Sequence, residues 1–264
     1  MKYGFIGTGN MANAIIGGMI GQGLANESSI WGFDQAPICL EKIKDQYGIH
    51  LATNNREVAT VADMIFLAVK PHFYSQVIKE IKDYITEQKI LISLAPGKTL
   101  EWFAEQFGKP IKIVRTMPNT PALVGAGMTG VCANEEVNSE ELEAVLKVFR
   151  SFGKAEVVTE HLLDAVVTVS GSSPAYIFML IEAMADAAVA EGMSRASAYE
   201  FAAQAVYGSA KMVLETGKHP GELKDMVCSP GGSTIEAVRV LEEKGFRSAV
   251  MAAMKACGEK SRRM

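Results

Sequence analysis

The sequence predicts an α/β protein: an N-terminal Rossmann-like parallel-sheet domain over residues 1–160, followed by an all-α C-terminal domain over 161–264. Three observations carry this. Short β-branched runs alternate with amphipathic stretches in the first part of the chain, the pattern of βαβ units, whose parallel return needs a crossover. A glycine turn, Gly7-Thr8-Gly9-Asn10-Met11-Ala12, stands between the first strand-like run and the first helical one. After about residue 160, glycine-punctuated strands give way to long alanine-rich helical spacing. A chain of 264 residues is comfortable for two domains.

Taken in order, Tyr3–Ile6, Ile30–Phe33, Met64–Val69, Ile90–Leu94 and Lys112–Thr116 read as strands, each bounded by Gly, Pro, Asn or Asp. Met11–Ile20, Ile38–Tyr47, Tyr74–Ile85 and Leu100–Phe107 between them have helical spacing. Met128–Ala133 and Ala155–Val158 read as further strands, with a helix near Ser139–Phe152. The second half predicts helices over Pro174–Glu191, Arg195–Glu215, Glu222–Met226, Ile235–Lys244 and Phe246–Glu259. Ser173 before Pro174 reads as a helix entry, and Gly192 and Gly217 fall where C-terminal caps belong. Ala183, Ala185, Ala187, Ala188 and Ala190 place small side chains on several faces of one helix. Such faces suit either an intramolecular bundle or an interface between subunits; a helical unit appended to a Rossmann domain favours the second by fold analogy.

Composition excludes several classes. A net charge of −4 and a pI near 5.7 give no general attraction for phosphate backbones, so nucleic-acid binding is not expected. The four cysteines form no Cys-x-x-Cys pair and the four histidines no i, i+4 pair, so no metal site is expected. Scattered thiols and an N-terminus that runs straight into a strand fit a cytoplasmic protein. The uncharged stretch Ala165–Ile181 is expected to be broken by Ser170-Gly171-Ser172-Ser173-Pro174, leaving no half long enough to cross a membrane.

The glycine turn matches G-x-G-x-x-A. Gly7 permits the tight turn, Gly9 lets backbone approach a pyrophosphate, and Ala12 lets helix pack on strand. The helix start then offers free N–H groups and a positive dipole end to phosphates. Asp34 closes the second strand, where a carboxylate accepts hydrogen bonds from ribose hydroxyls and repels a 2′-phosphate. No arginine stands in Gln35-Ala36-Pro37 to compensate, so NADH is expected to be accepted as well as NADPH. Ala68-Val69-Lys70-Pro71 and the turn at Ala95 end two further strands at the edge where open sheets bind ligands. By position alone, Lys70 is equally a surface charge. The candidate cofactor set is Ile6, Gly7, Thr8, Gly9, Asn10, Met11, Asp34, Asn55, Ala68, Val69, Lys70, Pro71 and Ala95.

In the second half, Ser229-Pro230-Gly231-Gly232-Ser233-Thr234 precedes a helix expected to begin at Ile235, with Ser233 and Glu236 as its capping box. Thr234 then needs no capping role. Two glycines and a helix start make a nest suited to a carboxylate, or an ordinary turn.

Here the sequence resembles the pyrroline-5-carboxylate reductases over nearly its whole length. The resemblance rests on Phe5–Met11, Ala68–Pro71, Arg115-Thr116-Met117-Pro118-Asn119-Thr120-Pro121, Ser170–Tyr176, His219–Asp225 and above all Ser229–Thr234. Ser173 stands where the family usually has glycine. The resemblance implies a helical domain that dimerises, dimers assembled into a larger ring, and hydride transfer from NADPH or NADH to the C=N carbon of 1-pyrroline-5-carboxylate, giving L-proline. By the family's pattern Thr234 is the catalytic hydrogen-bond partner of the imine nitrogen. Gly231, Gly232, Ser233 and Thr234 would bind the substrate. A β-hydroxyacid-type dehydrogenase is the nearest rival, but such enzymes need a general base, and the helix after Pro174 offers Glu182, Asp186 and Glu191 with no lysine before Lys211. A cofactor-binding scaffold without turnover is the other alternative.

Overall fold

A computed structural model describes residues 1–263. The chain runs β1 (Tyr3–Ile6), α1 (Asn10–Gly21), β2 (Ile30–Phe33), α2 (Pro37–Tyr47), β3 (His50–Leu51), α3 (Asn55–Val61), β4 (Met64–Leu67), α4 (Tyr74–Ile81), β5 (Ile90–Ser93), α5 (Leu100–Phe107), β6 (Lys112–Met117), β7 (Gly127–Ala133), α6 (Ser139–Arg150) and β8 (Gly153–Val157). Helices follow: α7 (Leu163–Val166), α8 (Ser173–Ala190), α9 (Arg195–Thr216), α10 (Pro220–Val227), α11 (Ser233–Glu243) and α12 (Phe246–Ser261).

The sheet order is β3-β2-β1-β4-β5-β6-β7-β8. Every pair from β3 across to β6 is parallel, β7 runs antiparallel to β6, and β8 is parallel to β7. The strand order reverses between β1 and β4, the position at which open sheets bind ligands. Side-chain alternation sends Phe5 and Phe66 into one core layer with Ile15, Met19 and Phe149, and Ile6 and Leu67 into the other with Val58, Tyr74 and Phe103. Strands buried on both faces explain why these runs are apolar throughout rather than alternating.

Two compact units emerge: Met1–Ser172 together with the chain from Cys257 on, and Ser173–Ala256. The first carries both core layers. The second has little interior of its own. Among its described residues only Ala185, Ala198 and Ala202 are buried, where α8 and α9 pack on each other. Phe178, Met179, Phe201, Leu214 and Val227 each expose more than 60% of their surface. A unit that leaves its large apolar side chains in water is not a self-contained bundle.

The structure corrects three sequence-based expectations. Ser170–Pro174 is not a break: α7 passes through a π-turn at Val167–Gly171 straight into α8. Glu160–Ala190 is therefore one helical run, long and apolar enough by length and composition to cross a membrane. Consequently Ser173 is the first residue of α8 and not a cap outside it. The Ser233–Glu236 capping box does not form: α11 starts at Ser233 with Gly232 at the cap, and Glu236 pairs with Arg239. The short elements β3 and α3 were not expected from the sequence. Gly217, by contrast, caps α9 in the left-handed conformation, its N–H on the Val213 carbonyl.

Candidate functional site

The C-terminal ends of β1, β2, β4 and β5 open onto a cavity of about 510 Å³. Its walls include Gly7, Gly9, Asn10, Met11, Asp34 and Asn55, joined by Ala68, Val69, Lys70, Pro71 and Ala95. Eleven of the thirteen residues in the candidate cofactor set thus meet in one cleft. The other two stand behind it. Ile6 is core, 1% exposed. Thr8 is buried and braces Asp34, whose Oδ2 accepts from the Thr8 N–H at 2.7 Å while Oδ1 accepts from the Ala36 N–H at 2.9 Å.

Gly7 has φ +94°, and a Cβ there would lie 2.8 Å from the Ala68 carbonyl carbon and oxygen. Only glycine brings the β1 turn this close to the end of β4. Gly9 differs: a Cβ there would meet nothing within 4 Å, so the backbone faces open cleft. It caps α1 without a side-chain bond, and no acidic residue stands in the first turn. The first N–H groups of α1 therefore have no partner from a capping side chain and face no competing carboxylate, which fits a pyrophosphate. Asp34 follows β2 at one end of the cleft and Ala95 follows β5 at the other.

Below that second end, strand termini are tied by buried hydroxyls. Tyr74 donates to the Leu67 carbonyl at 2.7 Å, Ser93 donates to the Tyr74 oxygen at 3.3 Å, and Thr116 donates to the Ser93 carbonyl at 2.9 Å. Full burial pushes the Tyr74 phenol up to about 12. Asn55, buried at the start of α3, donates to Glu80, which also accepts from Gln76.

Residues missed by sequence reasoning also line the cleft, notably Phe33, Phe73 and Thr120. Phe33 directly precedes Asp34 and was legible as a strand end; Phe73 and Thr120 arrive on 3-10 turns that carry no periodic signal.

Gly231, Gly232, Ser233 and Thr234 lie in the helical unit and line neither this cavity nor the smaller one beside it. Gly231 has φ +68°, and the Gly232 N–H closes the turn on the Ser229 carbonyl at 3.1 Å. With no side chain capping α11, its first N–H groups are available. The Thr234 hydroxyl makes no hydrogen bond among the described residues.

Residues 160–264 match the family model described as pyrroline-5-carboxylate reductase dimerisation, and residues 2–97 match NADP oxidoreductase coenzyme F420-dependent. The pyrroline-5-carboxylate reductase of Escherichia coli (strain K12) is 57% identical over 263 residues, covering 100% of this chain and 98% of that protein. That of Methanosarcina acetivorans is 43% identical over 263 residues, with 100% and 97% covered. Among solved structures, Plasmodium falciparum pyrroline carboxylate reductase with NADP bound superposes with a TM-score of 0.91 at 33% identity, covering 100% of this chain and 97% of that one. The reductase from Coxiella burnetii gives 0.91 at 37% identity, with 99% and 97% covered.

Proposed function

The chain belongs to the pyrroline-5-carboxylate reductase family, and from that premise we propose which of its residues carry the reaction. The enzyme reduces the C=N bond of 1-pyrroline-5-carboxylate with NADP(H), the last step of proline biosynthesis. The Gly7–Met11 turn holds the pyrophosphate, Asp34 the adenosine ribose, and Ala68–Pro71 with Ala95 the nicotinamide half. The single observation that carries this reading is the convergence of these residues on one cleft around an uncapped helix start.

The substrate needs little covalent help. A protonated imine has an electrophilic carbon; when bound, the reduced nicotinamide supplies the hydride, and the nitrogen keeps its proton in the amine product. The protein's tasks are to hold the carboxylate, satisfy the nitrogen and align the carbon. The N–H groups of Gly231, Ser233 and Thr234 take the carboxylate, since a left-handed turn into a helix start presents several donors together while Gly232 closes the turn. Thr234, with its hydroxyl uncommitted, bonds the nitrogen. Replacing it by alanine is expected to lower kcat/KM by about 10-fold or more, as one directed hydrogen bond contributes about 1–3 kcal/mol. The NADPH dissociation constant stays as it was. Parental turnover in Thr234→Ala would remove Thr234 from the mechanism.

The dimerisation region begins at residue 160, which supports a functional boundary between residues 160 and 161. The apolar surface of α8–α12 is the subunit interface, and on the family resemblance dimers join into a larger ring. All four cysteines are free thiols, which suits a reducing cytoplasm. Because Asp34 retains lone pairs beyond its backbone bonds, NADH is accepted beside NADPH.

A further inference from the structure

Asn119 is 8% exposed and does not line the cofactor cleft, yet both ends of its carboxamide are committed. Its Oδ1 accepts from the Met128 N–H at 2.9 Å, at the start of β7. Its Nδ2 donates to the Ser170 carbonyl at 3.0 Å, inside the π-turn. That carbonyl needs an outside donor. In a regular helix its partner would be the N–H of residue 174, and Pro174 has none; the ring would also collide with it. A π-turn takes up this position, and side chains add hydrogen bonds to carbonyls around it. Thr168 donates to the Ala165 carbonyl and Ser170 Oγ to that of Val166, which leaves Ser170's own carbonyl to Asn119.

The next residue, Thr120, stands on the cleft wall at its nicotinamide end, with Ala95 and Pro96. Behind that wall lies a small void of about 10 Å³, lined in part by Ala95, Pro96, Met117 and Val167. Arg115 faces the same void with its Nε lacking a partner among the described residues, its Nη1 being held by Glu160. Beside the packing of Met117 on Gly171, the hydrogen bonds of Asn119 give this lip a directional link to the π-turn.

We propose that Asn119 is a positioning residue for hydride transfer: it locks the nicotinamide-side lip at Thr120 to the π-turn and so fixes the distance and angle at which hydride leaves. Asn119 touches neither reactant. Its removal loosens alignment and leaves cofactor affinity, set mainly at the glycine turn, almost intact.

The test uses the full-length enzyme with Asn119→Asp, which keeps the acceptor for Met128 and loses the donor to Ser170, and with Asn119→Ser, which loses both without burying a charge. Three quantities are read: kcat, the NADPH dissociation constant from cofactor fluorescence, and the primary isotope effect with NADPH deuterated at the transferred position. The expected result is kcat lowered about 10-fold, a larger isotope effect because hydride transfer becomes rate-limiting, and a dissociation constant within about 2-fold of the parent. Parental kcat and isotope effect with a lowered melting temperature would overturn the proposal, leaving a structural role only. So would a dissociation constant that weakens in step with kcat. Failure of both variants to fold also overturns it, since Asn119 would then be a requirement of the fold.

Discussion

Alanine at Gly7 and at Gly9 separates the two jobs of the cofactor turn. At Gly7 the backbone sits at φ +94°, where a non-glycine residue costs about 1–2 kcal/mol. The new Cβ would also stand 2.8 Å from the Ala68 carbonyl atoms and 2.9 Å from the Val69 nitrogen. Ordinary contact begins near 3.4 Å, so β1 and β4 must part by about 0.6 Å there. Backbone lies on both sides and has no rotamer to give, so overpacking adds about 1–2 kcal/mol. The total of about 2–4 kcal/mol corresponds to a loss of about 5–15 °C in melting temperature for the apo protein. At Gly9 the φ of −71° suits any residue and nothing lies within 4 Å, so apo stability stays at the parental value. The methyl group instead takes the space a pyrophosphate needs, and the NADPH dissociation constant rises at least about 10-fold. Apo melts and fluorescence titrations with NADPH read both effects. At saturating cofactor, a 10-fold weaker complex loses about 1.4 kcal/mol of ligand-dependent stabilisation. A Gly7→Ala protein with the parental melting temperature, or a Gly9→Ala protein with parental affinity, would refute this division.

Asp34→Ser removes a carboxylate from the ribose end of the cleft, and the ratio of kcat/KM for NADPH over NADH is expected to rise about 10-fold, from about 1.4 kcal/mol of relieved repulsion; an unchanged ratio in steady-state assays would take Asp34 out of cofactor choice. Phe178 is 63% exposed on α8, so Phe178→Glu puts a charge into the apolar subunit interface, and light scattering after gel filtration should show monomer; a retained dimer mass would place the interface elsewhere. Tyr74 ionises near 12 in the fold against 10.0 when unperturbed. The unfolded chain therefore releases this proton first, and stability is complete below about pH 10, declines by about 1.4 kcal/mol per pH unit, and levels off above about pH 12. Tyr74→Phe should flatten that alkaline slope in denaturant titrations while losing about 1 kcal/mol at neutral pH from the bond to Leu67; an unaltered slope would assign the decline to other groups.

The first strand–turn–helix was legible because three independent signals coincide at Gly7, Gly9 and Ala12. β3 was not, since His50–Leu51 is two residues long and gains its identity only from pairing with Trp31 and Gly32. α3 opens on Asn54-Asn55, and its seven residues are too few to show a helical period. Caps were read less well than elements. Ser233 and Glu236 have the right spacing for a box, but Arg239 one turn on claims the glutamate, and the turn closed by Gly232 admits Ser233 to the helix. Pro174 and its small polar neighbours carry every mark of a stop. Asn119, 51 residues before Ser170 in the chain, donates to the carbonyl that proline leaves without its helical partner, and no local pattern holds that information. In the cleft, Phe73 and Thr120 were missed because they arrive on 3-10 turns that show no period.

The tail of α12 returns to the first unit. Cys257 donates to Ser172, Ser261 donates to Asp164, and a Cβ at Gly258 would press on the Thr168 methyl at 3.1 Å. These contacts join partners up to 97 residues apart. During synthesis the sheet and its two core layers have every strand they need once β8 is made, yet the helical stretch over 164–172 waits for residues at least 85 positions later. At about 5–20 residues per second that interval is about 4–17 s. For that time an apolar helix stands beside a finished sheet without its last covering turn. The nascent enzyme passes through a window in which chaperone capture competes with closure, and variants at Gly258 should lengthen it.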